Sequence, residues 1–220
     1  MKKVLVVAPH PDDETLGCGG TLLRHYQEGD EVHWLIVTDM KGGFNKEKIN
    51  LRKLEIEEVG KNYQFKSITQ LDFSTTTLDE APMRDLVTSF SEVVQIVKPE
   101  IVYLPYRGDV HSDHKYVFDA MIACTKWFRY DFIKKILVYE TLSETEFGIN
   151  PDNNGFKPNV YVNITDYFNK KIQIMNIFSS EMGDYPFPRS NKAIEALASY
   201  RGVSGGFHYA EAFMLLKEVY

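Results

Sequence analysis

Short apolar runs alternate with helix-length segments through the first two thirds of this chain, and that alternation constrains the fold more than any other feature. Residues 4–8, VLVVA, are apolar without interruption and rich in β-branched side chains, as in a strand buried on both faces. Residues 31–39 (EVHWLIVTD), 100–105 (EIVYLP) and 135–140 (KILVYE) read as further strands, and 65–73 (FKSITQLDF) as an edge-like one. Helices are expected at about 15–28, 46–63, 82–97 and 112–128. The first carries Leu16, Leu22, Leu23 and Tyr26 as an apolar stripe and stops at Gly29-Asp30, and Pro82 opens the third. A βαβαβαβαβ order predicts an α/β fold, a three-layer α/β/α sandwich around a Rossmann-like, mostly parallel sheet. After residue 145 the pattern loosens into a polar loop, a short strand at 160–165, helices at about 166–178 and 190–201, and a closing strand over 210–220. No repeat and no linker interrupts it, so residues 1–220 are read as a single domain.

Composition removes several classes of function. A formal charge of −6 with no Lys/Arg block gives no electrostatic footprint for nucleic acid or an anionic membrane. Cys18 and Cys124 are too few for a disulfide framework, and a reduced, cytoplasmic setting is the default. The apolar run near the start is shorter than the roughly 7–15 residues of a signal-peptide core. No segment approaches the ~18 apolar residues of a membrane span. The expectation is a soluble, unexported protein without a transmembrane segment; homo-oligomerisation is left open.

Two dense polar clusters follow two of the strands. His10, Asp12, Asp13 and Glu14 come directly after residues 4–8, and Asp109, His111, Asp113 and His114 come after 100–105. Sites in open α/β sheets form outside the carboxyl ends of parallel strands, so the clusters should converge although about 100 positions separate them. A His and an Asp three apart, joined by a distant His, suit a catalytic zinc, which takes three protein ligands and keeps one position open for water. Adjacent carboxylates Asp12 and Asp13 can then divide the labour, one binding metal and one serving as general base. A bound dication also removes the cost of two unneutralised carboxylates at a buried strand end. The plainer alternatives are an acidic helix N-terminus, which explains Asp13 or Glu14 but not His10, and an N-capping Ser112 with incidental histidines. Cys18 reads as a small buried residue. The glycines of GCGGT (17–21) do not spell GxGxxG and suit close packing of helix on sheet.

PHPDDE (9–14) and HSDH (111–114) resemble, without substitution, the paired motifs of the LmbE-like, or PIG-L, family of zinc-dependent N-acetylglucosaminyl deacetylases. YRGVSGGFHYAEAF (200–213) is similar to the family's closing segment, and YETLSETEFG (139–148) to a loop in one branch of it. The resemblance implies one Zn2+ per chain held by His10, Asp13 and His114. It makes Asp12 the general base, has His111 polarise the carbonyl, stabilise the oxyanion or protonate the leaving amine, and has Asp113 orient an imidazole. By location and by its spacing to Glu55, Arg52 matches an arginine that faces the substrate acyl group; the alternative is an exposed i,i+3 ion pair on a solvated helix. The implied reaction is attack of zinc-activated water on the acetamide of an N-acetylglucosamine-type sugar or sugar conjugate, releasing acetate and an amine.

Around such a site Tyr106, Arg107, Glu140 and the loop 141–157 could line a rim, or be ordinary loop surface. Tyr185, Phe187 and Phe207 could cover the pocket or pack the core. His208 and Tyr209 have no assigned role, and His25 and His33 read as surface or core histidines. The rival readings are a metal-dependent phosphoesterase, which would hold two metals, and a non-catalytic metal-binding subunit.

Overall fold

In the computed structural model, which describes residues 1–40, 44–149 and 155–220, β1 (Lys3–Ala8) divides its apolar run between two cores. Val4, Val6 and Ala8 enter one, and Leu5 and Val7 enter the other. This period-2 alternation on an all-apolar strand is what demands helices on both faces. The first core is covered by α1 (Asp13–Gln27), α2 (Lys46–Tyr63), α5 (Phe168–Met175) and α6 (Asn191–Gly205). The second is covered by α3 (Met83–Val97) and α4 (Ser112–Ala123). On α3 the buried residues are Leu86, Phe90, Val93, Val94 and Val97, a helical stripe in which each fully buried side chain contributes about 1.5–3 kcal/mol.

The strands β2 (Glu31–Asp39), β3 (Ser67–Ser74), β4 (Ile101–Pro105) and β5 (Lys135–Tyr139) join β1 in parallel register. β7 (Ala210–Glu218) runs antiparallel to β5 and pairs with β6 (Val160–Asn163), giving the order β3-β2-β1-β4-β5-β7-β6. The expected fold class and the edge position of β3 are therefore both found. β1 and β4 are neighbours, yet the chain leaves their carboxyl ends for opposite layers, to α1 and to α4. That divergence opens a crevice at the switch point of the sheet. Among the described residues no helix is long and apolar enough to cross a membrane.

Several boundaries differ from the sequence reading. α4 ends at Ala123 rather than near 128, because Cys124 leaves helical geometry and Trp127 and Phe128 are exposed, with no core to hold a further turn. α5 is shorter than expected. α6 runs on to Gly205 and is closed by Gly206 at φ 74°. The glycines of α1 do permit close packing: a Cβ on Gly17 would stand 2.2 Å from the Tyr139 ring. Within α1 the backbone breaks at Cys18, and the carboxylate of Glu211 receives the N–H groups of Gly20 and Thr21 just beyond the break.

Candidate active site

The chain turns from β1 into α1 within four residues, and the turn is held from several sides. The Pro9 carbonyl accepts from Thr38 N and Thr38 Oγ1 of β2. The Asp12 carbonyl accepts the first helical N–H groups, those of Thr15 and Leu16. Asp12 itself sits at φ 137°, ψ −28°, a conformation that L-residues rarely adopt and that costs on the order of 1–3 kcal/mol. Asp12 stands at the N-cap, yet its carboxylate makes no capping bond and instead lines the cavity beside it. Burial, then the charges of Asp13 and Glu181, hold that carboxyl well above the usual carboxylate range.

His10, Asp13 and His114 converge from the two loops, with the nearest ring nitrogen of each His 3.3 Å and 3.4 Å from Asp13 Oδ2. The second nitrogen of each imidazole is held from behind by a carboxylate. His10 Nε2 is 3.0 Å from Asp113 Oδ2, and His114 Nδ1 is 2.7 Å from Asp109 Oδ2. Thr145 Oγ1 in turn donates to Asp109 Oδ1 at 2.6 Å. The front nitrogen of His114, Nε2, is fully buried and has no hydrogen-bond partner. Burial would raise Asp13, but the charge of His114 and the contacts of both imidazoles hold its carboxyl below the usual range. Burial would lower His10, and its bonds to Asp113 and Asp13 outweigh this and push it up to about 9.

A second group, His10, His111 and Asp113, is also close enough to hold an ion and shares His10 with the first. Asp113 Oδ2 is already committed to His10 and to the N–H of Thr76, at 2.8 Å. The set His10, Asp13 and His114 keeps the free nitrogen and the carboxylate-backed imidazoles typical of metal ligands. Two imidazoles and a carboxylate without thiolate are the donors of a catalytic rather than a structural zinc. The residues present therefore fit a divalent ion.

His111 caps α4, its Nδ1 accepting from Asp113 N at 3.2 Å. Burial, then the nearby positive charge of His10, keep its imidazole neutral, with a pKa lowered to about 4. With Nδ1 an acceptor, the ring proton is on Nε2, which makes His111 a hydrogen-bond donor.

The cavity in front of these residues has a volume of about 420 Å³. Its described lining carries six carboxylates against three Lys and Arg side chains, Arg52, Lys53 and Arg189, besides the imidazoles of His10 and His111, an excess that favours a bound dication. Arg52 lies in it but is buried, not solvated. Its Nη1 donates to the Pro11 carbonyl at 2.7 Å, its Nη2 to Ser180 Oγ at 3.2 Å and to Glu181. Its Nε lies 2.9 Å from Glu55 Oε2, in ionic contact without hydrogen-bond alignment. The i,i+3 pair is thus real but belongs to the interior.

Other sequence candidates fall elsewhere. Arg107 is engaged by Asp119, and Glu140 by Arg201 at 2.7 and 2.6 Å, away from this cavity. Tyr106 packs against Phe156, and Tyr185, Phe187 and Phe207 are exposed rather than core. Tyr209 stacks on Phe168. Cys18 is buried with its thiol on the Glu14 carbonyl, and His25 and His33 are held by Asp30 and Ser67. Of the rim loop 141–157, Glu144 lines the cavity, and 150–154 lie outside the described residues. The sequence reading missed Asp39, Asp72, Glu181 and Arg189 on the walls. Asp39 and Asp72 lie at carboxyl ends of strands, so the rule that located the histidines could have found them; nothing in 178–190 signals Glu181 or Arg189.

Comparison with known proteins gives the chain a family and a fold. Residues 5–125 match the family described as PIG-L, GlcNAc-PI de-N-acetylase. The diacetylchitobiose deacetylase of Thermococcus kodakarensis is 27% identical over 238 residues, covering 100% of this chain and 85% of that protein. The crystal structure of a conserved protein from Thermus thermophilus superposes with a TM-score of 0.80 at 25% identity, over 100% of this chain and 97% of that one. The 4-carboxy-2-hydroxymuconate hydratase of Pseudomonas putida superposes with a TM-score of 0.76 at 18% identity, over 100% and 98%. That last likeness is one of fold alone.

Proposed function

Because the chain belongs to the PIG-L, or GlcNAc-PI de-N-acetylase, family, we propose that it is a metal-dependent hydrolase that removes the N-acetyl group from a GlcNAc-type sugar or sugar conjugate. The observation that carries this is the pairing of the partnerless His114 Nε2, beside Asp13 and His10, with the uncommitted carboxylate of Asp12 on the same cavity. The names of relatives such as the Thermococcus deacetylase support the substrate class.

His10, Asp13 and His114 would hold the ion, one Zn2+ per chain. When bound it supplies Lewis acidity and a water whose pKa falls to ~7. Asp113 and Asp109 fix the tautomers and directions of the two ligand imidazoles. Asp12 accepts a proton from the attacking water, and a carboxyl tuned upward by burial is suited to that work. His111 donates from Nε2 to the oxygen on which negative charge develops. The proton gathered by Asp12 then passes to the leaving nitrogen, giving acetate and a free amine.

The test compares two adjacent aspartates. Asp12→Asn should keep zinc and lose on the order of 10²–10⁴ in rate. Asp13→Asn should lose zinc affinity and be partly rescued by added zinc. Metal content and acetate release are measured for both, with and without added metal. Equal metal loss in the two, or zinc rescue of Asp12→Asn, overturns the assignment. Two ions per chain would favour phosphoester chemistry instead.

A further inference from the structure

The peptide group between Pro11 and Asp12 is gripped at both of its polar ends. Its carbonyl, on Pro11, accepts from Arg52 Nη1 at 2.7 Å. Its N–H, on Asp12, donates to Glu14 Oε2 at 3.1 Å. Glu14 is fully buried, and its other oxygen, Oε1, accepts from Thr15 Oγ1 at 2.6 Å. Tyr63 of α2 donates to that same hydroxyl at 3.1 Å. Arg52 also stands on α2, so both grips are anchored on one helix.

We propose that Glu14 and Arg52 are positioning residues that clamp the Pro11–Asp12 peptide and so hold the Asp12 carboxylate toward the cavity. The Asp12 backbone is at φ 137°, which an unconstrained L-residue leaves readily. With this peptide plane held on one side and the Asp12 carbonyl held on the other by Thr15 N and Leu16 N of α1, the rotation φ between them is set, and with it the direction in which the Asp12 side chain leaves the backbone. The N-terminal side of α1 would otherwise attract the carboxylate as an ordinary N-cap. Glu14 takes the N–H that such a rearrangement would have to release. Arg52 thereby acts on the reaction through the backbone, its guanidinium being occupied by Pro11, Ser180, Glu181 and Glu55.

This inference rests on Asp12 being the base, and the experiment separates the two. Glu14→Gln keeps an acceptor for Asp12 N and should stay within about threefold of the parent. Glu14→Met keeps the volume without the acceptor. It should retain full metal content and KM and lose on the order of 10² in kcat, the cost of misplacing a reacting group by about 1 Å. In an Asp12→Asn background Glu14→Met should change the residual rate by less than about twofold, since groups that act as one unit are not additive. Thr15→Val, which loosens Glu14 without leaving an N–H unpaired, should lose about tenfold in kcat and show the same non-additivity. It decides the matter should Glu14→Met not fold. Multiplied effects in the Asp12→Asn background, or metal loss in Glu14→Met, overturn the clamp. Full activity of Asp12→Asn by itself overturns the base assignment instead.

Discussion

Lys171 and Glu211 are as buried as Asp13 and His114, and the two pairs are completed in opposite ways. Lys171 Nζ donates to the Leu16 carbonyl and to Glu211 Oε1, at 2.8 and 2.7 Å. Glu211 also receives Gly20 N, Thr21 N and Thr21 Oγ1, so the first pair has no polar atom left over. The second pair leaves His114 Nε2 without a hydrogen bond, beside an Asp12 whose ionised form burial and like charge disfavour. Protein groups alone satisfy the first pair, which bridges the break in α1, and they do not satisfy the second, at the end of β1. A buried charge is informative about function only once its partners have been counted.

The largest test of that contrast removes one charge from the first pair and one from the carboxylate beside the second. Lys171→Met strands Glu211 in the interior and should cost about 3–5 kcal/mol by denaturant unfolding, with metal stoichiometry unchanged in the folded fraction. Asp12→Asn should have the opposite sign, stabilising the metal-free protein, because it deletes a disfavoured charge and Asn tolerates positive φ better than most residues. A destabilised Asp12→Asn or a neutral Lys171→Met would erase the distinction. His111→Ala sharpens it within the open cluster. It should keep zinc and lose on the order of 10²–10³ in kcat, as for a deleted oxyanion donor. Metal loss would make His111 the ligand and favour the group it forms with His10 and Asp113.

Gly17→Ala probes the closed side of α1. Its Cβ would meet the buried Tyr139 ring at 2.2 Å, so overpacking of about 1–3 kcal/mol should outweigh the gain in helix propensity of up to about 1 kcal/mol. An unchanged thermal midpoint would show that the approach is loose. The smallest effect is in pH. Burial lowers His25 despite its bond to Asp30, so the unfolded chain, near its ordinary value of about 6.5, binds the proton first as pH falls. Stability should therefore decline as pH drops below about 6.5, and His25→Gln should flatten the decline. A steeper slope in that variant would reverse the sign.

Sequence alone was enough for the sheet's centre and for the meeting of His10 with His114. Uninterrupted β-branched runs have few other uses, and carboxyl ends of parallel strands share one edge. The direction of β7 was not legible, since an apolar strand carries no mark of its orientation. The end of α4 was missed because Trp127 and Phe128 fit a helical stripe that finds no core. Arg52 and Glu55 were paired by their spacing, but their burial depends on Phe178, whose ring lies 5.5 Å from the guanidinium, and on Glu181, some 130 positions away. The walls formed by Glu181 and Arg189 depend on how a turn-rich stretch folds back, which no periodicity encodes.

That division of the cavity has an engineering consequence. Among the described residues, the cavity floor comes from residues 10–114, whereas Glu144, Glu181 and Arg189 reach it from later connections. Exchanging Glu144, which makes no bond to the Pro11–Asp12 clamp, would recut the opening while leaving His10, Asp13 and His114 on the β1 and β4 ends, whereas Glu181 and Ser180 also hold Arg52 and must stay. Floor and opening are thus joined at one seam, Arg52 with Glu181, and changes kept off that seam would alter the rim alone.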